Sequence, residues 1–237
     1  MPDTKVSAMP ATVAPLSTDL VMVVSGGASK QVTIADLVAA AGVSVTPVLT
    51  IGAITLPGSV NLSTEGTVDW FAPFAATTPP RTQTAPHAKA LGGQLLQGFD
   101  WVQNGNSMFT PGSWIPFSTN VGDDMTASLT ASTSAIGVFT GAGTLFGFRI
   151  SVPACALQRT MRIYTAVFSG TMTVTAKLDG TALSPVTLVY AAGAGGFIAT
   201  PVEIVYKAQG GNLVVTGLLT TNSGSGPNVA IAGITIF

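Results

Sequence analysis

Apolar and polar positions along residues 20–42 change period three times, and each change predicts an element. Residues 20–24, LVMVV, form an unbroken apolar run that reads as a strand. Gly26-Gly27 is a turn signal, and residues 30–34 then alternate polar and apolar, which predicts a second strand. Two strands around a Gly-Gly turn read as a hairpin. Residues 35–41, opened by Ala35-Asp36-Leu37 and stopped at Gly42, predict a short helix. Upstream, Val6, Met9 and Pro10 make an apolar anchor, separated from the first strand by the polar gap Ser17-Thr18-Asp19. A hairpin with one short helix buries too little apolar surface to stand alone. Residues 1–42 therefore read as a small module that needs a partner surface.

The pattern then changes. Residues 43–57 are rich in Val, Thr, Ile and Pro and predict an extended connector. Pro47 and Pro57 argue against central strands there. From residue 58 to 237 the chain reads as one β domain. It opens on SVNLSTEGTVDWFAPF, where Val60 and Leu62, then Val68 and Trp70, alternate as strand positions do. Residues 73–93 are loop-like, crowded with Pro73, Pro79, Pro80, Pro86 and Gly92-Gly93. Residues 98–117 interleave aromatic and turn residues. Seven strand-like runs follow: LFGFRISVPA, TMRIYTAVFSG, TMTVTAKLDG, SPVTLVYAAG, TPVEIVYKAQ, NLVVTGLL and NVAIAGITIF. Turns such as Ser169-Gly170, Asp179-Gly180, Gly195-Gly196 and Gly210-Gly211-Asn212 separate them. Even spacing of this kind predicts a mainly β fold: a small N-terminal β-hairpin with a short helix, then an antiparallel, jelly-roll-like β sandwich.

Composition changes the picture in one respect. Charged residues are 8% of the chain, against roughly 25% in an ordinary soluble protein. Hydrophobic residues are 47% and the mean hydropathy is +0.54. The longest apolar runs fall short of the roughly 18–20 residues a spanning helix needs, so no membrane insertion is expected. The charge deficit predicts a large buried surface between subunits, the alternative being a monomeric sandwich with a Ser/Thr surface. A net charge of −1 leaves no electrostatic footprint for nucleic acid. The N-terminus MPDTKVSAMP lacks the basic and apolar parts of a secretory leader, so synthesis in the cytoplasm is expected.

The candidate chemistry is sparse. Glu65 and Asp69 lie four apart beside Trp70. Four residues along a strand span about 13 Å, too far for a glycosidase pair without a turn, which Gly66 supplies if one is there. The structural reading is that these carboxylates hold the domain's first turn by bonding backbone. Asp123-Asp124, after Asn120 and Gly122, supplies too few oxygens for calcium and reads as a solvated turn. His87, the sole histidine, reads as exposed in a Pro-rich loop. Cys155 reads as a small buried hydrophobe, and one cysteine excludes an intrachain disulfide. No P-loop, GxSxG or CxxC is present, so no catalysis, cofactor or metal is expected, and the glycine-rich runs at 141–147 and 193–196 read as hairpin turns. Trp101 and Trp114 sit with Phe99, Phe109 and Phe117 among Asn104, Asn106, Gln103 and Asp100. Aromatic faces beside amides suit sugar rings; the alternative is the core of an irregular sandwich edge.

Two stretches carry resemblances. KVSAMP, then Asp19 before an apolar strand, then GGASKQVT and the Asp36-Leu37 helix, resembles the N-terminal module of tailed-bacteriophage appendage proteins. That resemblance covers about the first 42 residues. It implies a docking base on a virion, usually in a homotrimer, and gives Val6, Met9, Pro10, Leu20, Val24 and Leu37 docking roles. VNLSTEGTVDW, followed by the strand-rich segments to residue 237, is similar to β-sandwich modules of the galactose-binding-like and carbohydrate-binding type. Together they imply a non-enzymatic virion protein, a homotrimeric head-associated fibre, spike or decoration, made in the host bacterial cytoplasm. Its partners are further copies of itself and other capsid, tail or neck proteins. The alternative is a tail or neck fibre whose sandwich binds a host-surface glycan through Trp101, Trp114, Asn104 and Asn106.

Overall fold

A computed structural model describes residues 20–25, 28–33, 45–73, 87–90, 96, 98–102, 107–109, 116–125, 128, 136–139 and 144–237. The expected hairpin forms: β1 (Leu20–Ser25) pairs antiparallel with β2 (Ala28–Thr33), Leu20 opposite Thr33 and Val24 opposite Ser29. It is a two-stranded sheet of its own, with no ladder to the sandwich among the described residues. The helix expected at 35–41 lies outside them.

Two antiparallel sheets make the sandwich. The larger has nine strands, six of them along the path β3 (Val48–Ala53), β16 (Val202–Lys207), β12 (Arg159–Phe168), β18 (Asn228–Ile236), β10 (Ile136–Phe139) and β8 (Ser107–Phe109). Off that path, β15 (Phe197–Ala199) pairs with β12, β5 (Asp69–Ala72) with β18, and β6 (His87–Ala88) with β5. The smaller sheet runs β14 (Val186–Ala191), β13 (Gly170–Leu178), β17 (Asn212–Asn222), β11 (Gly147–Pro153) and β7 (Gly98–Val102). All seven expected runs of the second half are strands. The expected connector contributes β3, an edge strand that Pro47 precedes, so the larger sheet begins before residue 58.

Alternation explains the core. Phe148 and Ile150 of β11, Val174 of β13 and Val215 of β17 point inward and meet Met161, Ile163, Ile204 and Ile231 of the larger sheet. Gly217 on β17 leaves the space that the Phe148 ring fills. The last strand is buried throughout, because its outer face is covered too. There Ala230 and Ala232 of β18 pack with Leu62, Trp70, Phe117 and Tyr164. A bulge resets the pattern: Tyr164 opposes Gly233 while Thr165 opposes Ile231, which leaves Ala232 unpaired. Inward positions therefore switch from Val229 and Ile231 to Ile234 and Ile236.

The covering layer corrects the expectation of a plain strand at 60–62. After β4 (Val60–Asn61), which pairs in parallel with β9 (Phe117–Ser118), the chain turns into a one-turn helix, α1 (Leu62–Glu65). The Asn61 side chain caps it by accepting from Thr64 N at 3.0 Å. Gly66 closes it, its N–H donating to Leu62 O at 2.7 Å. A Cβ at Gly66 would collide with Asp69 O and Trp70 Cβ. The local hydrogen bonds of Asn61 and Gly66 thus override strand periodicity. The glycine-rich turn at 193–196 joins β14 of one sheet to β15 of the other, so it crosses the sandwich rather than closing a hairpin.

Candidate functional site

Ser63, Gly66, Asp69 and Trp70 of the signature meet in one polar knot beside β18. Asp69 accepts from Trp70 N at 2.8 Å and from Leu96 N at 2.9 Å, carboxylate-to-backbone bonds of the kind the structural reading requires. Trp70 is fully buried, and its Nε1–H donates to Asp123 at 3.0 Å. Lys89 reaches the same carboxylate at 3.3 Å and also donates to Gly66 O. Burial would raise the Asp123 pKa, but the hydrogen bonds from Trp70 and Ser63 and the Lys89 charge hold it below the usual carboxylate value.

The adjoining pair corrects two expectations. His87 is half-buried rather than exposed, and its Nδ1 lies 2.8 Å from Asp124. Thr119 Oγ1 also donates to Asp124, whose side chain has no exposure. The Asp-Asp segment is thus a brace between residues 87–90 and 119–125, not a solvated turn. Asn120 adds to it, its N–H donating to Ser63 Oγ at 2.9 Å. Among the described residues no group of three or more His, Cys, Asp or Glu is arranged to hold a metal ion. Cys155 is buried and its thiol donates to Leu157 O.

Glu65 departs from the expected carboxylate-to-backbone bonding and belongs to a second network, made with side chains. It accepts from Tyr164 Oη at 2.8 Å and from Thr235 Oγ1, and lies 3.3 Å from Arg162. Arg162 also pairs with Glu203 at 2.9 Å and sits 4.8 Å over the Phe237 ring. Burial would lower the Arg162 pKa; Glu203 and Glu65 reverse that and hold the guanidinium firmly charged. Burial beside the Glu65 charge drives the Tyr164 phenol far up. Glu65 and Asp69 therefore face different partners. Their oxygens serve as acceptors in the scaffold, and nothing aims the two at a shared reacting atom. Sequence reading missed Arg162, Tyr164 and Glu203. The sequence signal was scarcity alone: in a chain with 8% charge, Arg162 and Glu203 each interrupt an apolar strand-like run, and the structure sets them opposite on adjacent strands.

Of the expected sugar platform, the described residues include Trp101 alone; Trp114, Asn104 and Asn106 lie outside them. Trp101 is half-buried on edge strand β7 and packs edge-on against Phe99 at 5.1 Å. Phe99 in turn meets Phe71 at 5.3 Å, so the three rings form a row along the sandwich margin. Trp101 Nε1 is buried without a hydrogen-bond partner among the described residues. Of the expected docking residues, Leu20 and Val24 lie on β1, while Val6, Met9, Pro10 and Leu37 lie outside the described residues.

No family model matches the sequence, and no curated protein matches it. Among solved structures, the chain has weak similarity to a family 61 carbohydrate-binding module solved in complex with β-1,4-galactotriose. The identity is 13% and the TM-score 0.32, over 46% of this chain and 73% of that one. No helix among the described residues is long and apolar enough to cross a membrane.

Proposed function

We propose that this chain is a structural, non-enzymatic component of a bacteriophage virion, a homotrimeric head-associated fibre, spike or decoration protein. Residues 1–42 dock it on the particle and the sandwich projects outward. The observation that carries this reading is the β1–β2 hairpin. It forms a sheet of its own, and it lies within the stretch that resembles a virion-docking module. An isolated two-stranded hairpin is marginal in water, so a partner surface is its natural complement. Low charge supports copies packing together. The polar knots support the absence of catalysis, because their carboxylates are engaged in bracing. Electron microscopy of particles labelled against the sandwich tests the placement. Labels distributed over the capsid are expected; labels confined to one vertex or below it would move the protein to the neck or tail.

The second reading is a tail or neck fibre whose sandwich recognises a host-surface glycan. It is favoured by Trp101, a tryptophan on an edge strand that keeps part of its surface exposed. Trp101→Ala and Trp114→Ala test it by paired measurements of melting temperature and glycan-array binding. A stacking ring loses about 1–3 kcal/mol of binding with stability nearly unchanged. A core ring instead costs about 3–5 kcal/mol of stability.

A further inference from the structure

The outer face of the five-stranded sheet is unlike an ordinary solvent face. Its outward positions on β13 are Thr171, Thr173 and Thr175, with Lys177 at the end of the strand. The cross-strand register extends them into rows. Thr175 opposes Thr187 on one side and Thr216 on the other, and Thr173 opposes Val189 and Leu218. Charge on the face is limited to two pairs of opposite sign: Arg149 on β11, which stands between Thr216 and Asp100, and Lys177 with Asp179 at the end of β13. Val189, at 57% exposure, is among the most exposed large apolar side chains described.

We propose that this face is the surface on which copies of this chain pack, and that its occupant is a second copy. The number of copies rests on the homotrimer proposed above; the choice of face does not. Three arguments select the occupant. The first is size. Five strands about 4.8 Å apart, of five to eleven residues at about 3.3 Å each, span on the order of 600 Å² in projection. A stable interface buries about 800 Å² of accessible surface per partner, and a face studded with side chains has more accessible than projected area. The second is entropy. Thr and Val are branched at Cβ and largely fixed at χ1, so covering them orders little that was free. The third is chemistry. The field of outward residues on β13, β14 and β17 contains no aromatic ring on which a sugar could stack and no cluster of charge for an ionic partner. A flat, neutral, β-branched sheet face fits another such protein surface, packed about 10 Å away. In a threefold assembly the contact is heterologous, this face of one copy meeting a different surface of the next.

The test uses the full chain at micromolar concentration, with mass read by light scattering and native mass spectrometry. Thr175→Lys and Leu218→Glu each place a charge in the centre of the face while keeping an outward position. The wild-type chain is expected to be trimeric. Each variant is expected to fall to one chain with an unchanged circular dichroism spectrum. A second readout does not need a charged variant to fold. In Thr175→Cys the new thiol is read against a buried native Cys155. Its labelling is expected to be at least tenfold slower in the assembly than after dilution to single chains. A wild-type mass of one chain overturns both this inference and the homotrimer. An assembled wild type with both charged variants still assembled, or with the introduced thiol labelled at the rate of a free one, overturns this face alone. A variant of unchanged mass that has lost glycan binding would assign the face to a ligand and overturn the inference too.

Discussion

Replacing Trp70 by Phe tests whether the Asp-Trp signature is scaffold. Trp70 has no exposure, and its Nε1–H supplies a charge-assisted hydrogen bond to Asp123. Phenylalanine keeps the ring position in the layer of Leu62, Phe117 and Tyr164 but removes the pyrrole and its N–H. The vacated space is on the order of 40 Å³, about 1 kcal/mol at the measured rate for core cavities. The lost bond to a carboxylate adds about 1.5–3 kcal/mol. The sum of about 2.5–4 kcal/mol corresponds to roughly 5–15 °C in melting temperature for a domain of this size. Urea denaturation of Trp70→Phe, Asp123→Ala and the double variant closes a mutant cycle, with an expected coupling of about 1.5–3 kcal/mol. The pH dependence carries a sign. Because the Asp123 pKa is lowered in the fold, its contribution is present above the ordinary carboxylate range and is lost as pH falls through the lowered value. Asp123→Asn should therefore flatten the acid limb of the stability profile. A coupling below about 0.5 kcal/mol, the usual limit of additivity, would refute the reasoning.

Two further outcomes follow from burial. All three tyrosines are buried, and burial raises each pKa, that of Tyr190 to about 12. Their stability contribution is complete below the unfolded value near 10 and is lost as pH rises through the folded values, so tyrosinate absorbance should stay flat through pH 10–11 and then appear together with unfolding. Tyrosinate appearing near pH 10 in folded protein would contradict the packing. Gly217→Ala sets a Cβ about 2.3 Å from the Phe148 ring and should cost about 1–3 kcal/mol, with Phe148→Leu in the same chain recovering part of the loss; a neutral Gly217→Ala would show that the sheet interior is looser than described.

The second half of the chain is legible in the sequence because its strands have one covered face and clear breaks. TMTVTAKL alternates strictly, as β13 does in the structure. Even the continuous run of NVAIAGITI reads as a strand, and its lack of alternation reflects the second layer packed on its outer face. Residues 60–66 escape a reading by strand periodicity, because the hydrogen bonds of Asn61 and Gly66 set a helical turn. A boundary at residue 58 misses β3, since a proline-flanked edge strand and an extended connector share one composition. The brace of His87 with Asp124 joins residues 37 apart, and no local pattern announces such a pair. Most of the sugar platform and most of the docking residues lie outside the described residues, so their assignment rests on sequence alone.

The most direct test of the docking claim is occupancy of phage particles that lack this protein. Purified full-length chain is added, alongside Leu20→Asp and Val24→Asp variants altered only in β1. The wild type is expected to bind saturably. The variants, with sandwich and mass unchanged by circular dichroism and light scattering, are expected to lose at least tenfold in occupancy. Variants that decorate particles at the wild-type level would place the attachment outside the hairpin, and a wild type that binds no particle would contradict the virion assignment itself.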